Sequence, residues 1–66
     1  MMKLSPRERE VLTLFVEEGR LKPVAETLGR SMHTIQSHKS SIMRKLGAKN
    51  SVEMICSAIR KGLVKP

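Results

Sequence analysis

Sixty-six residues carry 13 Lys and Arg against 6 Asp and Glu, a formal charge of +7 and a pI near 10.4, with one Phe, no Trp or Tyr and one Cys. A chain of this length buries only roughly 60% of its unfolded surface, which leaves no room for a catalytic cleft. One Cys and two His are too few for a disulfide scaffold or a four-ligand zinc site, and no apolar run exceeds three residues, so no membrane-spanning segment is expected.

The sequence predicts an all-α fold, one domain over residues 1–66 with four helices at about 6–18, 22–28, 32–46 and 51–61. The first opens at Ser5, a good N-cap, with Pro6 suited to the first helical position and Glu8 completing a capping box. Val11, Leu12, Leu14, Phe15 and Val16 give it a wide apolar face, and Gly19 stops it. The second helix carries Val24, Ala25 and Leu28 at the spacing of a buried stripe, with Pro23 in its first turn, where a missing N–H is tolerated.

The third helix is capped by Ser31 and ends at Gly47. Ile35, Ile42 and Leu46 fall on one narrow arc, flanked by Met32 and Met43. The opposite face holds His33, Gln36, Ser37, Ser40, Ser41 and Arg44. Solvated helix faces usually mix Glu with Lys, because opposite charges four apart stabilise the helix. Serine is a mediocre helix former, so this face is not composed for helicity; it suits a groove of DNA, where short hydroxyls and amides meet base edges. The fourth helix starts at Asn50 with Glu53 as a second capping box, and Gly62 ends it. Val52, Ile55, Cys56 and Ile59 read as its apolar stripe, so Cys56 is expected to be an inert buried thiol. Lys65 and Pro66 read as a frayed tail.

Charge is distributed unevenly. Residues 1–19 hold three basic residues against four glutamates, whereas residues 20–66 hold ten against two. No acid lies between Thr27 and Val52, while Arg30, Lys39, Arg44, Lys45 and Lys49 all do. Such an interval is either a solvated face or the footprint of a polyanion. The scarcity of aromatics argues against modules that stack single-stranded bases, and the charge favours a polyanionic partner. Helix two, a turn at Gly29 and helix three form a helix-turn-helix candidate: Ala25 is small enough for the helices to cross closely, Gly29 makes the turn, and Ile35 locks the third helix onto the second.

The run Leu4-Ser5-Pro6-Arg7-Glu8-Arg9-Glu10-Val11-Leu12 is more specific than that pattern, and so are Val24-Ala25, Leu28-Gly29, Ser31, Thr34-Ile35, His38, Ile42 and Arg44-Lys45-Leu46-Gly47. With this spacing the chain, from Leu4 to Leu63, resembles the LuxR-type (FixJ/GerE-like) DNA-binding domain of bacterial transcription regulators. The resemblance implies a four-helix domain whose third helix enters the major groove and whose fourth supplies a dimer contact. Matched by position, Gln36, Ser37 and Ser40 fall where such domains reach bases. Ser31, Thr34, Lys39 and Lys45 fall where phosphate contacts are common. Arg30, His33 and Arg44 join that phosphate set from their own positions: Arg30 is either an extra phosphate contact or a plain exposed turn residue, and His33 either lies near the backbone or is simply solvated. Lys39 projects toward the Ile35 and Leu46 side, so its ammonium must snorkel. His38, on the flank of the buried stripe, reads as a structural histidine, with a phosphate contact as the alternative.

The departures from the family pattern are specific. Glu18 stands where a glycine is usual, with Gly19 one residue later. Arg20 replaces a Ser or Thr cap, Pro23 a polar helix former, and Arg30 an apolar turn residue. Met54, Ser57, Ala58 and Lys61 lie away from the expected stripe of helix four; they are either scattered surface residues or, as the resemblance implies, the dimer seam. One helix pair buries little area, so that homodimer is expected to be weak without DNA. The expected partners are therefore double-stranded DNA, a second copy of the chain and RNA polymerase, in the cytoplasm at the nucleoid, with no membrane, no metal and no cofactor. No nucleophile–base pair points to an enzyme. The function expected is sequence-specific DNA binding in transcription regulation. The alternative is a protein-interaction module that forms mixed dimers with a related regulator or docks an acidic partner.

Overall fold

A computed structural model describes residues 4–64, and the tail expected at Lys65 and Pro66 lies outside them. The elements run α1 (Pro6–Glu18), α2 (Leu21–Leu28), α3 (Met32–Leu46) and α4 (Ser51–Arg60). Helix α2 therefore starts one residue earlier than the sequence predicts, and α4 ends one residue earlier, with Lys61 as its C-cap. No strand occurs among the described residues.

The helix ends follow from local chemistry. At Ser5 the capping box is complete: the Glu8 N–H donates to Ser5 Oγ at 3.1 Å and the Ser5 N–H donates to Glu8 Oε1 at 2.9 Å. At α4 half of the expected box forms. The Glu53 N–H donates to Asn50 Oδ1 at 2.9 Å, but the Glu53 carboxylate accepts from the Lys49 N–H, one residue before the cap. Arg20 makes no capping bond from its side chain, as its side-chain type dictates. Pro23 is the third residue of α2, inside the turn whose N–H groups have no helical acceptor.

Helices α1 and α3 form the centre, and α2 and α4 each pack against both. The core is one cluster: Val11, Leu12 and Phe15 from α1, Val24 and Ala25 from α2, Ile35 and Ile42 from α3, Met54 and Ala58 from α4, and Val64 beyond it. Burying each large member contributes about 1.5–3 kcal/mol. Lys39 reaches back across this core edge, its Nζ 5.8 Å from the centre of the Phe15 ring. The ammonium thus finds an aromatic face, an interaction of about 0.5–1 kcal/mol, and its stem is half buried.

Helix α4 is rotated relative to the sequence expectation. Met54 and Ala58 are fully buried and Ser57 nearly so, whereas Val52 is 70% exposed and Cys56 is exposed. Ile55 and Ile59 lie half-buried between the two faces. The physical reason is spacing and size. Met54, Ser57, Ala58 and Lys61 stand at i, i+3, i+4 and i+7, the period of a core stripe. Small Ser57 and Ala58 let α4 approach its neighbours closely, and Met54 fills the space between. The seam expected at Met54, Ser57 and Ala58 is thus interior to one chain, and only Lys61 of that set is exposed. Cys56 is correspondingly a surface thiol.

Candidate nucleic-acid interface

The turn between α2 and α3 decides how α3 is presented. Gly29 sits at φ 64 and ψ 34, a left-handed conformation that costs an L side chain about 1–2 kcal/mol. Its N–H donates to Glu26 O, and the Arg30 N–H donates to Ala25 O at 3.0 Å, which closes the end of α2. Ser31 then caps α3: its Oγ accepts from the Thr34 N–H at 3.1 Å and lies 3.0 Å from Thr34 Oγ1. The buried Ile35 fixes the helix one turn further on.

With that anchor, the polar residues of α3 are set outward. Arg30, Ser31, His33, Thr34, Gln36, Ser37, Ser40 and Arg44 are exposed. Gln36 and Ser40 are one turn apart, about 6 Å along the axis, which matches roughly two base-pair steps of duplex DNA. Met32, expected beside the core, is instead 48% exposed and adds an apolar group to the first turn of this surface. His38 is half-buried on the flank of the helix, the position expected of a packed histidine.

Two residues of α3 turn the other way. The Ser41 hydroxyl donates to Glu8 Oε2 and the Lys45 ammonium donates to Glu8 Oε1, both at 2.6 Å. Ser41 therefore faces α1 and not the polar surface on which its sequence position places it. Lys45, expected at a phosphate, has its charge engaged by a carboxylate inside the fold, and its side chain is only 25% exposed. Glu8 itself is 6% exposed. Burial alone raises its pKa, but the bonds from Lys45, Ser41 and the Ser5 N–H, with the Lys45 charge, outweigh that and lower it from 4.5 to about 2. From its sequence neighbours alone, Glu8 has only a capping task. The available signal was the acid-free interval itself, since a cation packed toward α1 needs a counter-charge from outside residues 27–52.

The short α2, its left-handed glycine turn and an α3 with a bare polar face define a helix-turn-helix DNA-binding domain. Comparison with known proteins agrees. Residues 2–58 match the family described as bacterial regulatory proteins, luxR family (GerE). The transcriptional regulatory protein RcsB of Escherichia coli (strain K12) is 45% identical over 53 residues, covering 80% of this chain and 24% of RcsB. RcsB of Salmonella typhimurium (strain LT2) gives the same values. The oxygen regulatory protein NreC of Staphylococcus aureus (strain JH9) is 40% identical over 62 residues, covering 94% of this chain and 29% of NreC. The chain belongs to the LuxR family of bacterial regulatory proteins, as a non-enzymatic DNA-binding domain of the transcription-regulator type. It spans about a quarter of the length of the curated relatives it matches. No helix among the described residues is long and apolar enough to cross a membrane.

Proposed function

We propose that this chain recognises a specific duplex sequence through the major groove and acts in transcription regulation. The observation that carries the reading is the exposed row Gln36, Ser37 and Ser40 on a helix that has no acidic residue along its length. Gln36 is the base reader with the clearest partner, since its amide matches adenine N6 and N7; the serines accept or donate to either base of a pair, and the Met32 side chain fits a thymine methyl. Arg30, Ser31, His33, Thr34, Lys39 and Arg44 supply the phosphate contacts that set register. Lys39 does so from a half-buried stem, its head resting on Phe15.

Dimerisation through α4 remains part of the proposal, on a different surface from the one expected from sequence. Val52, Cys56 and Arg60 line the exposed side of α4, at i, i+4 and i+8. A contact this small is weak unless two half-sites on one duplex hold both copies. Contact with RNA polymerase and a cytoplasmic, nucleoid-bound location complete the proposal, in keeping with the regulatory names of RcsB and NreC.

The test is selection of bound sequences from a random duplex pool. A shared motif is expected, with a repeated half-site where two copies bind. Replacing Gln36 by Ala should erase preference at one base position, a loss of about 1–3 kcal/mol of discrimination. A pool that enriches no sequence refutes the base-reading role and favours docking to an acidic protein partner or mixed dimerisation.

A further inference from the structure

Five cations fall in the acid-free interval, but one of them is not offered to the outside. Lys45 lies five residues beyond Ser40, about 7.5 Å further along the α3 axis. That is within the Debye length of about 8 Å at physiological ionic strength, so an uncompensated ammonium there attracts any polyphosphate that α3 approaches. Glu8 compensates it. The carboxylate is nearly buried, its Oε1 takes the Lys45 ammonium at 2.6 Å and the Ser5 N–H at 2.9 Å, and its Oε2 takes the Ser41 hydroxyl at 2.6 Å. Two side chains of α3 and the backbone of the α1 N-cap thus hold a single carboxylate, and the carboxylate in turn draws Lys45 toward α1.

We propose that Glu8 is a positioning residue for DNA binding: by holding Lys45 against α1 it withholds one cation from sequence-independent phosphate contact. The exposed Arg30, Arg44 and Lys49, with Lys39, then supply the backbone attraction. This rests on the DNA-binding reading above. Its physical sense is that each phosphate neutralised adds affinity for every sequence alike, steepening the dependence of log K on log salt by about 0.9. A small domain with few base-reading side chains gains little discrimination from a further indiscriminate contact. The carboxylate on α1 removes that contact and uses the same charge pair to seat α3.

The experiment measures binding of the chain to random-sequence duplex DNA across a series of salt concentrations. The variants are Glu8→Gln, the double variant Glu8→Gln with Lys45→Met, and Glu10→Gln, each checked for helicity by circular dichroism. Glu10 pairs with Arg7 on the exposed side of α1 and gives the same change in net charge away from α3. Glu8→Gln is expected to bind several-fold more tightly at low salt, with a slope steeper by close to one. The double variant is expected to return to the original slope, and Glu10→Gln to stay near it. An unchanged or shallower slope in folded Glu8→Gln overturns the proposal, as does an equal steepening in Glu10→Gln. If Glu8→Gln does not fold, lysine side-chain nitrogen NMR of the unaltered chain decides. The Lys45 ammonium signal should keep its Glu8-bound shift as DNA is added, and movement with saturation of the DNA overturns the proposal. Failure of the unaltered chain to bind any duplex removes the DNA-binding reading together with this one, whereas binding with no effect of Glu8→Gln removes this one alone.

Discussion

The Glu8 site makes the stability of the domain sensitive to acid in a calculable way. Its carboxyl has a pKa near 4.5 when exposed and about 2 in the folded chain. Between those values the unfolded chain binds a proton that the folded chain refuses, so stability is fully present above pH 4.5 and is lost as pH falls toward 2. The displacement corresponds to about 3 kcal/mol. Lys45 is a quarter exposed, so solvent screens part of the attraction and the loss should fall at or somewhat below that figure. A 66-residue domain has roughly 3–10 kcal/mol of stability in total, so this one carboxylate holds a large share. Urea unfolding followed by circular dichroism, in steps from pH 7 to pH 2, measures it. Glu8→Gln, which resembles the protonated acid, isolates the contribution from the other five glutamates. The gap between the two proteins should be near 3 kcal/mol at pH 7 and close to zero at pH 2. A gap that stays constant with pH, or no gap at neutral pH, refutes the reasoning.

The rotation of α4 is tested by a pair of substitutions. Met54→Ala should destabilise the chain by about 2–5 kcal/mol through the cavity it leaves, whereas Cys56→Ser should stay within about 0.5 kcal/mol; the reverse ranking, read from urea unfolding, would restore the stripe expected from sequence. Cys56 should also react with a thiol reagent in the native chain at a rate close to that of an unfolded control, and strong protection would contradict its surface position. Gly29→Ala should cost about 1–2 kcal/mol from its backbone angle alone, because nothing lies within 4 Å of an added Cβ. A neutral result would mean the turn tolerates another conformation.

The boundaries of the four helices were legible because their signals are local. Ser5 with Pro6 and Glu8, Ser31, Asn50 and the terminal glycines act within a few residues, and the structure uses each of them as a cap or a stop. The outward row of α3 was legible for the same reason: one helix with a strong apolar arc at Ile35 and Ile42 has only one orientation. Helix α4 offers two arcs. Val52, Ile55, Cys56 and Ile59 are more apolar as a set, but Met54, Ser57 and Ala58 are the better shape, and shape is a property of the neighbours. Hydropathy along the chain does not carry it. The Glu8, Ser41 and Lys45 network joins residues 33 and 37 positions apart, so it depends on how α1 crosses α3. For Lys45 the family position gave a phosphate contact, and the pairing with Glu8 became visible only with both helices in place.

The missing cap at Arg20 has its effect in the order in which the fold loosens. Helix α2 has eight residues, barely more than two turns, and begins without a side-chain acceptor for its first N–H groups. Its amides are therefore expected to exchange with solvent ahead of global unfolding. Since α3 packs on this segment, warming is expected to loosen the seat of the helix proposed to read DNA while most of the helical signal persists. Affinity for DNA is then expected to fall at a lower temperature than the circular dichroism melt. Restoring a cap with Arg20→Ser is expected to raise the temperature at which binding fails, with no change to the proposed base readers Gln36, Ser37 and Ser40.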